Sequence, residues 1–364
     1  MGLSLVSTVL ALATVVASVA LISVKLAHRI MLKGRGVRSA HYIAALGEMI
    51  SRKLLPADIP RRWAADPLFH DAVIEYRHLL SGEEREFVDH LIAEVGIVGV
   101  LQRRARWRWP RPVRLRAIAA LVELAGSDQV PFLRFLLGDH NDYVRSHAAH
   151  GLARLGDVSS IPLILDLATR VRPWEAARLA DALAAFDRRA VKPINEWILK
   201  HWDGDGSHVE TIAQAARVLG LLGETSAETT LIEMLESDRL GWKVAAASAL
   251  GRIASDTSRG ALLKALHDDS WEVRARAVRA LASLADGSVA PAIAELLSDS
   301  QWWVRQNAAE SLGELPGGVA ELQRALSSED RFAADAARNQ LAELRMLPAG
   351  TETTLAVGSR EGSS

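Results

Sequence analysis

Apolar residues recur at spacings of four, four and three in four stretches that superimpose without gaps: PVRLRAIAALVEL, YVRSHAAHGLARL, EVRARAVRALASL and WVRQNAAESLGEL. Such spacing places the apolar side chains on one face of an α-helix. The stripe positions are Val113, Ala117, Leu121 and Leu124; Val144, Ala148, Leu152 and Leu155; Val273, Ala277, Leu281 and Leu284; and Val304, Ala308, Leu312 and Leu315. The pattern predicts four equivalent amphipathic helices.

The third stripe position extends the repeat to the whole body of the chain. Further leucines in this role are Leu183, Leu219, Leu250 and Leu341, and the eight anchors follow one another at steps of 31, 31, 36, 31, 31, 31 and 29 along the chain. Short apolar-periodic segments such as IPLILDLA and GALLKALH lie between the stripes. Two helices in each repeat, joined by Gly-, Asp- and Ser-rich turns, predict an all-α, right-handed α-solenoid of about eight helical hairpins.

The stripes carry a recurring D…VR..AA..L..L signature, as in DHNDYVRSHAAHGLARL. This signature resembles HEAT repeats, and in particular the short HEAT-like class named after phycobilin lyases. The resemblance covers residues 84–345. It implies a helical solenoid and leaves the activity open.

The first 24 residues, MGLSLVSTVLALATVVASVALISV, contain no charge. As a helix they would be about 36 Å long, against roughly 30 Å for a bilayer core. Positive charges follow at once, at Lys25, Arg29, Lys33, Arg35 and Arg38. We therefore expect a transmembrane anchor at residues 1–26 and a basic juxtamembrane segment at 27–38. The alternative is a signal peptide cleaved after Ser18-Val19-Ala20.

This anchor predicts a single-pass protein of the cell inner membrane, with its N-terminus outside and its repeats in the cytoplasm. Residues 39–83 are interpreted as a helical connector or cap that joins the anchor to the solenoid at 84–345. The polar, Gly- and Ser-rich residues 346–364 are predicted to be a disordered tail.

Charge divides the chain unevenly. From Lys25 to Arg116 there are 18 basic and 10 acidic residues, a net +8, whereas the residues from Ala117 onward hold 25 basic and 34 acidic ones, a net −9. The chain has no cysteine, which excludes disulfides, thiolate nucleophiles and cysteine-ligated metals.

One basic position recurs directly after the first stripe position. It is occupied by Arg114, Arg145, Lys243, Arg274 and Arg305. In the HEAT-type folds that the chain resembles, such a residue usually pairs with an acidic turn residue of an adjacent repeat, and Asp139, Asp268 and Asp299 are candidates for this role. We interpret this basic ladder as structural, with exposed pairs each contributing about 0–1 kcal/mol.

The residues required for catalysis do not occur in a recognisable pattern. HEAT-type deoxyhypusine hydroxylases hold iron with His-Glu pairs, and this chain has no His-Glu dipeptide. The best metal candidate is His140, Asp142, His147 and His150, but the stripe position of Ala148 turns both helical histidines away from the core. We predict no catalytic, cofactor-binding or metal-binding residues. A phycobilin-lyase-like or other HEAT-type enzyme is the alternative.

Residues 103–112, RRARWRWPRP, are predicted to be the turn between two paired helices, bounded by Pro110 and Pro112. Later repeats place Tyr143, Trp174, Trp242, Trp271, Trp302 and Trp303 near the same turn. We therefore predict an aromatic row along one edge. The candidate partner-binding residues are Arg103, Arg104, Arg106, Trp107, Arg108, Trp109, Arg111, Tyr143, Trp174, Trp271, Trp302 and Trp303.

Three interpretations of this Arg/Trp edge stay open: docking to a protein, contact with anionic lipid headgroups near Arg103–Arg111, or a solvated turn. Nucleic acid is less favoured, because the net −9 of the distal part repels a polyanion. The predicted function is a membrane-anchored cytosolic scaffold without enzymatic activity. The chain resembles anchored HEAT-repeat proteins that assist membrane enzymes such as polysaccharide glycosyltransferases, and this resemblance suggests the kind of partner.

Overall fold

The computed structural model describes residues 36–52, 59–106, 108–202 and 208–346. The predicted anchor at 1–26, most of the basic segment that follows it, and nearly all of the predicted tail lie outside the described residues. Across the described ranges the regular elements are α-helices and short 3-10 turns. No helix in these ranges has the length and hydropathy needed to cross a bilayer.

The described residues fall into two compact units, within Met1–Gly151 and Leu152–Ser364. The helices that begin in the first unit are α1 (36–52), α2 (Pro67–Leu79), α3 (Gly82–Val95), α4 (Ile97–Ala105), α5 (Arg111–Ala125), α6 (Val130–Leu136) and α7 (Asp142–Arg154).

The second unit continues with α8 (Ile161–Ala168), α9 (Pro173–Ala184), α10 (Val191–Lys200), α11 (Val209–Leu222), α12 (Glu228–Leu235), α13 (Leu240–Ile253), α14 (Arg259–Ala265), α15 (Trp271–Ser283), α16 (Ala290–Glu295), α17 (Trp302–Glu314), α18 (Gly318–Ala325) and α19 (Arg331–Glu343).

An aromatic cluster fixes α1 against α2 in the first unit. The ring of Tyr42 lies 5.0 Å from that of Trp63 and 5.5 Å from that of Phe69. Its hydroxyl donates to Asp66 at 2.8 Å, and the same carboxylate accepts the Leu68 amide at the start of α2. Burial and this hydrogen bond raise the pKa of Tyr42 to about 12. The cluster therefore ties α1 to the 3-10 turn Arg61–Ala65 and to the start of α2.

The helices of the second unit form two layers. The longer helices α9, α11, α13, α15, α17 and α19 pack in chain order, each against the next. The shorter helices contact one another on the other side, as in the pairs α8/α10, α12/α14 and α16/α18. This alternation is the arrangement of stacked helical hairpins that the repeat predicts.

The predicted stripes are buried. The anchors Leu121, Leu152, Leu183, Leu219, Leu250, Leu281, Leu312 and Leu341 are all at most 2% exposed. The ends of the stripes are less completely covered, since Val113, Leu155 and Leu284 are only partly buried. The one long interval, between Leu183 and Leu219, has a local cause, because α10 ends at Lys200 and α11 begins only at Val209.

Glycine allows the longer helices to approach closely. A Cβ atom on Gly220 would lie 2.5 Å from the Cα of Ala249, and one on Gly251 would lie 2.7 Å from the Cα of Ala280. These two contacts occupy the same place in successive repeats, between α11 and α13 and between α13 and α15. Because the obstructing atoms belong to the backbone, no side-chain rotation could relieve the clash.

The basic ladder forms the ion pairs that the sequence predicts. Lys243 Nζ lies 2.7 Å from Asp268, and Arg274 binds Asp299 through two nitrogens, at 2.7 and 2.9 Å. Arg114 pairs with Asp139 in the first unit, and their side chains are 7% and 9% exposed. Each pair joins one repeat to the turn of the next.

The same aspartates also organise their own turns. Asp268 and Asp299 accept the backbone amides of Ser270 and Gln301 at 2.9 and 2.8 Å. The carbonyl of Asp299 accepts the Arg305 guanidinium at 2.7 Å. Burial raises the pKa of the Asp299 carboxyl, but the hydrogen bonds from Arg274 and Gln301 outweigh it and hold that pKa below its usual value. One side chain thus links two repeats and shapes the turn between them.

Replacing Gly251 with Ala is expected to lower the free energy of unfolding by about 1–3 kcal/mol, because the added methyl group forces α13 away from α15. Gly241→Ala in the same helix is the control, since a Cβ there would meet nothing within 4 Å. It is expected to be neutral or to stabilise by up to about 1 kcal/mol. Urea unfolding followed by circular dichroism measures both changes, and equal effects would contradict this account of Gly251.

Replacing Asp299 with Asn is expected to lower the free energy of unfolding at neutral pH by about 1.5–3 kcal/mol, the range for a hydrogen bond to a charged group. Because the folded-state pKa of Asp299 is lowered, its contribution is complete above about pH 4, the unfolded value, and disappears as the pH falls further. The difference between wild type and variant should therefore narrow in acid.

Asp269→Asn is the matched control, because the Asp269 side chain is exposed and makes no hydrogen bond with the ladder, although the pKa of Arg274, raised mainly by its hydrogen bond to Asp299, is also raised by the nearby Asp269 charge. Urea titrations at several pH values measure both variants. A stability difference between wild type and Asp299→Asn that stays constant from pH 7 to pH 3 would show that the carboxylate charge contributes nothing.

Candidate interaction surfaces

The Arg/Trp run of the first unit is divided between a helix end and a turn. Helix α4 ends at Ala105 and α5 begins at Arg111, with Pro110 as N-cap and Pro112 in the first turn. Arg103 and Arg104 therefore lie in the last turn of α4, and the connecting segment is shorter than the sequence suggests. The prediction that the prolines separate two helices is confirmed.

Two arginines of this run bind within the unit. Arg104 donates to the carbonyl of Ala65 at 2.5 Å, and its guanidinium lies 5.9 Å from the centre of the Trp109 ring. Arg111 lies 4.6 Å over the ring of Tyr143. The Trp109 side chain is 45% exposed, so this edge presents an aromatic ring to solvent beside cations.

Three further arginines of the run, Arg103, Arg106 and Arg108, are exposed. They make no ion pair or side-chain hydrogen bond with another described residue. Trp107 lies outside the described residues. The part of the edge formed by Arg103, Arg106, Arg108 and Trp109 is therefore the part that is available to a ligand, and it is called the Arg/Trp turn below.

A small cavity of about 290 Å³ lies behind the Arg/Trp turn, lined in part by His70, Asp71, Arg104 and Arg116. Arg116 pairs with Asp71, and the buried His70 ring bonds the carbonyl of Ala64 at 2.7 Å. Desolvation by burial lowers the pKa of His70. The polar side chains of this cavity already have partners within the first unit, which indicates a structural role.

In the second unit, the first turns of successive long helices carry large apolar side chains. Trp302 and Trp303 begin α17, and their rings meet edge to face at 4.5 Å. They are 53% and 59% exposed, Leu240 is 44% exposed, and Trp271 is partly buried. Trp174, at the start of α9, is 49% exposed and lies beneath Arg178 at 4.5 Å.

Trp242 does not belong to this exposed row. It is 2% exposed, and its indole nitrogen donates to the carbonyl of Val209 at 3.0 Å. The ring also packs 4.9 Å from that of Trp202. Trp242 lies two residues after Leu240 on α13, which turns it toward α11 and away from solvent.

A groove follows the same helices in the second unit. It has a volume of about 640 Å³ and runs over α13, α15 and α17. Trp271 and Trp303 line it together with Arg217, Arg276 and Arg279. Sequence reasoning found the tryptophans and missed the arginines. The available signal was the register of Arg276, which lies two residues after the ladder residue Arg274 on the exposed face.

The histidines of α7 make local contacts. His147 and His150 are exposed, and each bonds a carbonyl of its own helix, that of Tyr143 and that of Ser146, at 2.9 Å. Among the described residues, no three His, Asp or Glu side chains converge in an arrangement suited to a metal ion.

A sequence profile for HEAT repeats matches residues 101–184 and 260–342. These ranges include the signature helices α5, α7, α15 and α17, so the chain contains HEAT repeats. The finer assignment to the phycobilin-lyase class stays a prediction. No curated protein matches the chain.

Solved structures with similar helical arrangements include an engineered protein, with 20% identity, 78% of this chain and 93% of that chain covered, and a TM-score of 0.35. Human deoxyhypusine hydroxylase in complex with glycerol shares 20% identity over 70% of this chain and 99% of that chain, at a TM-score of 0.30. Kap121p shares 16% identity over 79% of this chain and 38% of that chain, at 0.49. These low scores and identities carry no argument about function.

Proposed function

We propose that the chain is a scaffold without enzymatic activity that binds protein partners through its exposed arginine and tryptophan side chains. The observation that supports this most strongly is the exposure of Trp109 in the first unit and of Trp302 and Trp303 in the second. Exposing such large rings to water is unfavourable, and arginine and tryptophan are the residues that most often dominate interface energies. Stacked repeats also provide long faces for other proteins.

The proposal includes a tether at the membrane. The uncharged residues 1–24 and the basic residues after them are its support, and they favour a position of the repeats on the cytoplasmic side of the inner membrane. A protein held at this position would bind partners that are located at the same membrane. An integral enzyme such as a polysaccharide glycosyltransferase is one such partner, and this suggestion rests on resemblance alone.

The Arg/Trp turn is the surface we assign to the membrane-proximal partner. It belongs to the basic part of the chain, whose net charge from Lys25 to Arg116 is +8. Anionic headgroups would bind the same arginines at about 1 kcal/mol for each basic residue near the surface. Salt separates the two ligands, because headgroup attraction is screened over roughly 8 Å at physiological ionic strength.

Reversing Arg103, Arg106 and Arg108 to Glu together is expected to abolish recovery of cross-linked partners from solubilised membranes. The fold should persist, because these side chains are exposed and bind no other described residue. Arg85→Glu, an exposed arginine of α3 outside the run, is the control. Trp109→Ala should also reduce partner recovery, and it should leave binding to phosphatidylglycerol vesicles nearly unchanged.

Recovery of the partners is measured by affinity purification of the wild type and of each variant, with cross-linking carried out at low and at raised salt concentration. If the triple reversal leaves partner recovery at the wild-type level, the Arg/Trp turn is only a solvated connection between α4 and α5.

The tether has its own test. A reporter fused after Ser364 is expected to show cytoplasmic activity, and the chain should remain in the membrane fraction after carbonate extraction. Replacing two apolar residues near the middle of residues 1–24 with Lys should release it. Periplasmic reporter activity, or a mature N-terminus at Leu21, would contradict both the anchor and the cytoplasmic location.

A further inference from the structure

We infer that the groove over α13, α15 and α17 binds an acidic polypeptide segment that inserts an apolar side chain between Trp271 and Trp303. The inference rests on the proposed scaffold function and adds to it the chemistry of a partner. It concerns the second unit alone, and no residue of the Arg/Trp turn takes part.

Small residues create the groove. Gly241 and Val244 of α13 and Ala275 of α15 line it, and a Cβ atom added to Gly241 would meet nothing within 4 Å. Trp271 of α15 and Trp303 of α17 contribute the large apolar side chains that line the groove. With a volume of about 640 Å³, the groove lies within the roughly 300–1,000 Å³ that is usual for ligand sites.

The repeat register explains why the groove occurs at this place. Leu240, Trp271 and Trp302 occupy equivalent first-turn positions in three successive repeats, and the next position holds Gly241, Glu272 and Trp303. Only at the start of α17 do two tryptophans follow each other in this series. The large apolar surface on one side and the missing side chain on the other form a slot suited to an apolar anchor.

The charges of the groove are mainly positive. Arg217, Arg276 and Arg279 line it, against one carboxylate, that of Glu272. An adjoining cavity of about 380 Å³ shares Arg217 and Arg276 and adds Arg252 and Asp181. Together, the two cavities are lined by four guanidinium groups and two carboxylates.

Two of these arginines are free to bind a ligand. Arg252 and Arg276 are exposed and have no ion-pair or hydrogen-bond partner for their side chains among the described residues. The other two have weak partners: Arg217 lies 3.5 Å from Glu210, and Arg279 lies 3.0 Å from Glu310. Both pairs are solvent-exposed, so each contributes about 0–1 kcal/mol and can exchange for a ligand carboxylate.

The surroundings favour a short acidic segment over a long polyanion. Residues 152–364 contain 23 basic and 30 acidic residues, a net −7, so the positive groove is a local exception in an acidic unit. A nucleic acid extending beyond the groove would meet this negative charge. A peptide with a few carboxylates would not, because charges more than about 8 Å away are screened.

A selection with short random peptides displayed on phage, using the immobilised full-length chain, tests this inference. Peptides that combine Asp or Glu with one large apolar residue are expected to be enriched. The best peptide is then made with a fluorescent label, and its affinity is measured by anisotropy at low and moderate salt. A version with Gln and Asn in place of Glu and Asp should bind about tenfold more weakly or worse.

The variants Arg276→Glu and Trp303→Ala should each weaken binding of the acidic peptide by about tenfold or more, since both lie at the centre of the proposed contact. Arg188→Glu is the matched control, because Arg188 is an exposed arginine of the same unit that lines neither cavity. It should change affinity by less than about twofold. Circular dichroism confirms that each variant is folded.

Several results would overturn the inference: enrichment of neutral or basic peptides, no enrichment at all, or acidic peptides that bind Arg276→Glu as tightly as wild type. Tighter binding of a single-stranded oligonucleotide or of phosphatidylglycerol vesicles, lost in the same variants, would assign the groove to those ligands. Failure of the scaffold proposal gives a different result, because the wild-type protein itself would then recover no cross-linked partners. If partners are recovered equally by wild type and by the groove variants, the scaffold proposal survives and the groove inference does not.

Discussion

The contact between an arginine or lysine of one repeat and an aspartate in the turn of the next is the interaction that fixes the stacking of the repeats at Asp139, Asp268 and Asp299. At Asp299, one carboxylate receives Arg274 from the preceding repeat and the amide of Gln301 from its own turn. The backbone carbonyl of Asp299 accepts a hydrogen bond from Arg305, which is the ladder residue of the following repeat. Because one residue satisfies the turn and the ladder together, the distance between repeats cannot vary without losing several hydrogen bonds. A nearly constant repeat length follows from this geometry.

This repeat length in turn limits which side chains fit between the helices. Where α13 packs against α15, a Cβ atom on Gly251 would lie 2.7 Å from the Cα of Ala280, so a larger residue at this position would push the two helices apart. Bulky residues are therefore tolerated only away from the crossing, above all in the first helical turn. The exposed Trp302 and Trp303 lie in such a first turn, at the start of α17.

The sequence predicted the fold well because its repeat fixes periodicity and pairing together. The buried leucines and the two-helix repeat follow from residue type and spacing. The pairing of the ladder residues with turn aspartates, seen in Arg114–Asp139, Lys243–Asp268 and Arg274–Asp299, follows from the resemblance to HEAT repeats. The candidate surfaces were harder to predict. Trp242 and Trp271 stand near the same turn in successive repeats, and one is buried while the other lines a groove. A shift of two residues along a helix changes the face by about 200°, which approximate alignment cannot resolve.

The exposed aromatic side chains also differ in how they are covered, and this difference bears on binding. Tyr143, Trp174 and Phe332 each lie beneath a guanidinium, at 4.5 to 4.8 Å in the contacts with Arg111, Arg178, Arg305 and Arg331. Such a cation occupies one face of the ring. Trp302 and Trp303 cover each other edge to face, and in the described part of the chain no guanidinium lies over either ring. A ligand that reaches this pair displaces water from apolar surface without first displacing an arginine. Among these aromatic side chains, the pair on α17 can therefore bind an apolar group without losing a cation–π contact, and Trp303 of this pair lines the groove.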